Sequence, residues 1–68
     1  MKAFRLQIEC ENSAFGDNEP DLCAAEIAAI LRQVAERVER GECNDYDKYN
    51  NLRDSNGNPV GTFRLKDE

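Results

Sequence analysis

Residues 3–10 alternate strictly between two kinds of position. The even positions hold Phe4, Leu6, Ile8 and Cys10, whereas most of the odd positions between them are polar. A period of two is typical of a strand that buries one face and exposes the other. The pattern predicts a first strand over residues 3–10.

The middle of the chain changes to a helical period. Pro20 is tolerated in a first helical turn, Asp17 or Asn18 can act as the N-cap, and Gly41 supplies a left-handed residue that ends a helix. These signals predict a helix over residues 19–40. Its apolar positions share one face and are Cys23, Ile27, Ile30, Leu31, Val34 and Val38.

Asn56-Gly57 lies between two short apolar segments and predicts a hairpin over residues 51–65. A two-residue type I′ turn requires positive φ at both of its central residues, which Asn and Gly tolerate best. This turn would set Leu52 opposite Gly61 and Arg53 opposite Val60. One face of the hairpin would then hold Leu52, Gly61, Phe63 and Leu65, and the other face Arg53, Val60, Thr62 and Arg64.

These elements predict one α+β domain over residues 1–68, with the order β-α-β-β. We expect a three-stranded, mainly antiparallel sheet with the helix packed on one face. Strand order 1-3-2 is favoured because Phe63 and Leu65 make the last strand the more apolar one; order 1-2-3 would make the first pair parallel. Phe15 is expected to cover the core. The predicted core contains Phe4, Leu6, Ile8, Ile27, Ile30, Leu31, Val34, Val38, Leu52, Phe63 and Leu65.

The chain of 68 residues is acidic, with fourteen Asp and Glu against nine Lys and Arg and a net charge of −5. This balance disfavours direct nucleic-acid binding, which depends on neutralising phosphates. It suits a protein partner with a basic surface, although many small proteins are acidic for solubility alone. We expect no membrane association, because no apolar run approaches the length of a bilayer span and no signal-peptide pattern is present.

Histidine is absent, which removes the commonest general base and metal ligand. Cys10, Cys23 and Cys43 lack the close spacing of a zinc site; the first two fall on apolar faces, while Cys43 lies in a polar loop where it can be exposed. A calcium loop starting at Asp54 fails because its sixth and twelfth positions lack the required Gly and Glu. We therefore expect no metal, no cofactor and no enzymatic activity.

The loop over residues 42–51 is the best candidate for a partner-binding surface. Tyr46 and Tyr49 lie there among short polar side chains, a composition suited to protein recognition. We predict that both tyrosines anchor a partner, that Asp45 and Asp47 face its Lys or Arg side chains, and that Asp54 extends this acidic edge. The alternative is that one tyrosine only covers the open end of the core.

Three segments resemble a group of short, mostly uncharacterised phage and prophage proteins: F-x-L-x-I-E-C-x-N-x-A-F-G-D at 4–17, I-L-R-x-V-A-x-R-V-x-x-G at 30–41 and L-R-D-x-N-G-N-x-V-G at 52–61. The resemblance implies a phage-derived inhibitor of host machinery, a class that includes the anti-CRISPR proteins. Three cysteines without C-x-x-C spacing argue against a secreted disulfide framework, so we expect the cytoplasm of a bacterial host. A structural protein that assembles with itself is the alternative. We expect a monomer or a weak homodimer with reduced thiols.

Overall fold

The computed structural model describes residues 2–16 and 19–67, and it has the predicted order of elements. The three strands form one antiparallel sheet in the order β1-β3-β2, so the favoured topology is confirmed. The candidate N-caps Asp17 and Asn18 lie outside the described residues. In chain order the elements are β1 (Lys2–Ile8), a short 3₁₀ helix (Ser13–Phe15), α1 (Pro20–Glu39), β2 (Asn50–Arg53) and β3 (Pro59–Asp67).

The helix α1 ends just before Gly41, as the sequence predicted. Gly41 adopts a φ of 88°, in the left-handed region that glycine enters without steric cost. The Glu42 N–H donates to the Arg37 carbonyl at 3.0 Å, and the Gly41 N–H donates to the Val38 carbonyl at 3.1 Å. This pair of bonds is a Schellman motif, which satisfies carbonyls that the helix end would otherwise leave unpaired. It turns the chain back toward the sheet.

The core lies between α1 and one face of the sheet. Ile30 and Val34 supply the buried part of the helix, and Phe15 closes one end of the core as predicted. The predicted strand residues Leu6 and Ile8 pack against this cluster without being fully buried. The fully buried apolar side chains are Phe15, Ile30, Val34, Leu52, Val60 and Phe63.

Three predicted core residues are exposed instead. Leu31 is 45% exposed and Val38 is 40% exposed. Leu31 follows Ile30 by one residue, which places it about 100° around the helix and off the narrow buried face. Phe4 is exposed because the helix ends too early to cover it: the Arg37 guanidinium, in the last turn, already lies 4.8 Å from the centre of the Phe63 ring.

The hairpin turn differs from the predicted type I′ turn. The Asp54 N–H donates to the Asn58 carbonyl and the Gly57 N–H donates to the Asp54 carbonyl, both at 3.0 Å. Gly57 has a φ of 83°, whereas Asn56 is not among the residues with positive φ. The loop therefore has three residues, in a type I turn that ends in a left-handed glycine.

The three-residue loop changes the pairing next to it. Arg53 lies opposite Pro59 rather than Val60, and the register shifts between Leu52 and Arg53, so that Leu52 still lies opposite Gly61 as predicted. Val60 is left as the extra residue of a β-bulge. A bulge rotates the strand locally, and Val60 is buried in the core, although the sequence pattern placed it on the polar face.

Candidate functional site

The loop between α1 and β2 is fixed against the free end of β3. Tyr46 forms an isolated bridge with Leu65, and the Asp47 N–H donates to the Leu65 carbonyl at 2.7 Å. Asp47 has a φ of 63°, a conformation that Asp tolerates better than most residues. Its carboxylate lies 3.1 Å from the Lys66 ammonium. These contacts set the positions of the two tyrosines on either side of Asp47.

Tyr46 and Tyr49 are both solvent-exposed, at 44% and 58%. Both rings are therefore accessible to a partner. The Lys2 ammonium lies 5.0 Å from the centre of the Tyr46 ring, and the Arg64 guanidinium lies 4.4 Å from the centre of the Tyr49 ring. Each ring has a cation on one face, an arrangement that stabilises an exposed aromatic side chain in one orientation.

The two tyrosines nevertheless project to different sides of the sheet. Lys2 is an even number of residues from Leu6 on β1, so its side chain lies on the face of the sheet that α1 covers. Arg64 follows the buried Phe63 by one residue on β3, so its side chain lies on the opposite, open face. Tyr46 with Lys2 is thus on the helix side, and Tyr49 with Arg64 is on the open side. A partner that touched both rings would have to enclose the edge of the sheet.

Asp54 does not join this surface. It is only 5% exposed, and its Oδ1 accepts the backbone N–H groups of Asn56 and Asn58, both at 2.9 Å. Burial by itself raises the pKa of Asp54, but hydrogen bonds from the Asn58 backbone and from Asn12, Asn56 and the Asn58 side chain outweigh it and hold the pKa below its usual range. Asp54 builds the turn, so we correct the expectation that it extends the acidic edge; Asp45 remains exposed on the loop.

The sequence pattern did not identify the open face of the sheet as a site. Arg5 lies opposite Arg64 there, and Gln7 lies opposite Thr62. Together with Phe4, Leu6 and Tyr49, these four residues line a shallow groove of about 430 Å³. The polar residues at odd positions of β1 and their polar partners on β3 are visible in the sequence, but only the strand order and register show which of them lie side by side.

The three cysteines are all half-buried and pack against the core, including Cys43, which the loop sequence suggested could be exposed. Burial and the neighbouring Cys23 thiol raise the pKa of Cys10 above its usual value. Within residues 2–16 and 19–67, no group of three or more Cys, Asp or Glu side chains is arranged to hold a metal ion.

Comparisons of the chain with protein-family models, with curated proteins and with solved structures found no match. None of the helices in the described part of the chain combines the length and the hydrophobicity needed to cross a bilayer. The case for a function therefore depends on the surfaces described above.

Proposed function

We propose that this protein is a stoichiometric protein-binding module that docks through the loop over residues 42–51 and inhibits a host protein or nucleoprotein complex. The observation that carries the proposal is the exposure of two tyrosines, each held against a cation, on one loop. Tyrosine is enriched among the residues that dominate binding energy at interfaces. The inhibitory role and the phage origin come from the sequence resemblance.

Preorganisation of the loop favours this use. A rigid aromatic side chain loses little conformational entropy when a partner covers it, so more of the contact energy remains as affinity. Here the Asp47 backbone is bonded to β3, and its side chain is paired with Lys66. The backbone that carries the two rings is therefore tied to the sheet, which lowers the entropy lost when a partner binds.

Asp45 supplies the loop with an exposed carboxylate that suits a basic partner. The Glu42 carboxylate is paired with Arg37 and Arg40, and the Asp47 carboxylate is paired with Lys66. Carboxylates at the rim of an interface mainly accelerate association and make it sensitive to salt. A partner surface rich in Lys and Arg fits this edge, where Tyr46 follows Asp45 directly in the chain.

A pull-down from bacterial lysate with the tagged protein tests the proposal. We expect a partner that is retained by wild type and lost when Tyr46→Ala and Tyr49→Ala are combined. Leu22→Ala is the matched control, because Leu22 is a comparably exposed apolar residue on the helix. Circular dichroism confirms that each variant is folded. A folded double variant that captures the same partner with unchanged affinity would show that the loop is not the docking surface.

Self-association is the second candidate function, and the exposed residues on the helix and β1 favour it. Phe4, Leu31 and Val38 are large apolar side chains in contact with solvent, and β1 is an edge strand of the sheet that the described residues form. Such edges pair readily with a second copy. Light scattering at micromolar concentration separates the two functions, because a strict monomer would exclude assembly through this edge.

A further inference from the structure

Two of the three cysteines lie together at one end of the core. Cys10 follows the end of β1, and Cys23 lies near the start of α1. Both line a shallow groove of about 370 Å³, together with the buried Phe15. Both side chains are half-buried and pack against the core cluster. The groove is open to solvent, so a small molecule can reach two thiols at one place.

The Cys10 and Cys23 thiols also interact with each other. Burial raises the pKa of Cys10, and the charge and the hydrogen bond of the Cys23 thiol raise it further. The two thiols therefore do not ionise together, and a thiolate on one has a protonated thiol beside it. The Cys10 thiol also contacts the Ile8 carbonyl at 3.8 Å, too long for a strong hydrogen bond. A contact this weak costs little to break.

The backbone segments that carry the two cysteines are packed on each other. A disulfide tolerates little separation between the segments it joins. A Cβ added to Gly16, after the 3₁₀ helix, would lie 3.2 Å from the Leu22 Cβ and 3.4 Å from the Glu19 Cβ. On the other side, the Glu9 N–H donates to the Val60 carbonyl at 2.7 Å, which ties the chain next to Cys10 to β3. The start of α1 and the segment after β1 thus already form one packed unit.

We propose that Cys10 and Cys23 are a redox-sensitive pair that forms a reversible disulfide by exchange with a small disulfide such as glutathione disulfide. First, one cysteine thiolate attacks a sulfur of glutathione disulfide, so that a mixed disulfide forms and one glutathione leaves. Second, the other cysteine loses its proton and attacks the protein sulfur of the mixed disulfide, and the second glutathione leaves. Two protein thiols are oxidised, one glutathione disulfide is reduced, and the two protons end on the two glutathione molecules.

Proximity favours the second step for this pair alone among the three cysteines. A partner thiol held on the same chain acts at a high effective concentration, so it displaces glutathione faster than a second glutathione molecule does. Cys43 lies beyond the other end of α1 and would stop at the mixed disulfide. In a reducing compartment the pair stays as two thiols, and it closes when small disulfides accumulate.

This site is separate from the proposed docking loop. Residues 46 and 47 of that loop contact Leu65, which lies opposite Phe4 near the beginning of β1, whereas Cys10 follows the end of β1. The bridge would tie the end of β1 to the start of α1 and restrict the unfolded chain. The oxidised domain should therefore be the more stable form.

Tryptic mass mapping of the full chain after incubation in glutathione buffers tests the proposal. Free thiols are blocked with iodoacetamide before digestion. Trypsin leaves Cys10 and Cys23 in one peptide, residues 6–32, and Cys43 in another, residues 41–48. We expect the first peptide to lose two hydrogens without gaining glutathione, and dithiothreitol to restore it. The melting temperature of the oxidised protein should exceed that of the reduced protein by more than about 5 °C.

Three variants isolate the pair. Cys43→Ala keeps both thiols, so it should form the bridge and show the same rise in melting temperature as wild type. Cys10→Ala and Cys23→Ala each leave one thiol of the pair, which should carry glutathione and give no such rise. Circular dichroism confirms that each variant is folded. The mapping of wild type does not depend on any variant folding.

Two results would overturn the proposal. One is a wild-type peptide 6–32 that carries two glutathione groups, which would show that the two sulfurs do not meet. The other is a peptide 6–32 that stays reduced in a buffer that oxidises the urea-unfolded chain, which would show that the folded domain keeps its thiols apart or out of reach. Every variant retains Tyr46 and Tyr49, so failure of the docking proposal leaves this test unchanged.

Discussion

Substituting Gly61 by Ala tests the packing of the sheet most directly. Gly61 lies on the central strand β3, between Ile8 of β1 and Leu52 of β2. A Cβ added at this position would overlap the carbonyl oxygen of Gln7 and lie 3.2 Å from the Ile8 Cα. Both atoms are main chain, so neither can move aside by rotating a side chain. We expect β1 to be displaced from β3.

The cost can be estimated from the contacts that the displacement would disturb. Overpacking in a rigid environment costs about 1–3 kcal/mol. The neighbouring bond from the Glu9 N–H to the Val60 carbonyl, at 2.7 Å, would weaken and add about 1 kcal/mol. A loss of roughly 2–4 kcal/mol is severe for a domain of this length, whose total stability is expected at about 3–10 kcal/mol. Urea denaturation followed by circular dichroism measures it.

Gly57 supplies the matched control, because its φ is 83° and an added Cβ would meet no atom within 4 Å. Gly57→Ala should cost about 1–2 kcal/mol for its left-handed backbone, and Gly57→Asn should recover most of that loss, since Asn tolerates this conformation. Gly61→Asn should be no more stable than Gly61→Ala, because any Cβ at position 61 overlaps the main chain of β1, whatever backbone conformation the new residue tolerates. A Gly61→Ala protein within about 0.5 kcal/mol of wild type would refute the steric argument.

Two further predictions follow from burial and charge. Ile30→Ala should lower the free energy of unfolding by about 2–5 kcal/mol, because Ile30 is fully buried, while the adjacent exposed Leu31→Ala should cost less than about 1 kcal/mol; equal losses in urea denaturation would contradict the assigned helix face. The pKa of Asp54 lies below its unfolded value, so its stabilising contribution is present above pH ~4 and is lost as the pH falls through the folded pKa. The urea midpoint of wild type should therefore fall more steeply below pH ~4 than that of Asp54→Asn, and parallel curves would exclude the linkage.

The elements and their order could be predicted from the sequence because signals within a few residues determine each of them. Alternation over residues 3–10, the helical stripe and Gly41 act over a few residues, and the structure has β1 and α1 within two residues of their predicted bounds. Strand order also followed, since the more apolar strand belongs in the middle of a sheet. Leu31 and Phe4 were misplaced because periodicity defines a face but not how far the covering element extends across it.

The candidate sites could be predicted less well, because they depend on contacts between distant parts of the chain. Tyr46 and Tyr49 are both exposed, but their separation onto two sides of the sheet depends on how the loop is bonded to Leu65. Arg5 and Arg64 are 59 positions apart in the chain and meet only through the pairing of the first and last strands. Asp54 resembled a surface carboxylate because its role depends on a turn type that the dipeptide Asn56-Gly57 does not determine alone.

The same number of residues could also connect β2 and β3 through a different turn. A two-residue loop without a bulge would join the same strands, keep Leu52 opposite Gly61, and turn Val60 outward. The observed form is favoured by the burial of Val60, about 1.5–3 kcal/mol for such a side chain, and by the bonds to Asp54. Because the two forms share the Leu52–Gly61 pair, the exchange needs no insertion or deletion, but it would take Val60 out of the core. Substitutions at the tip are thus felt inside this small domain, at Val60, and not only on the surface of the hairpin.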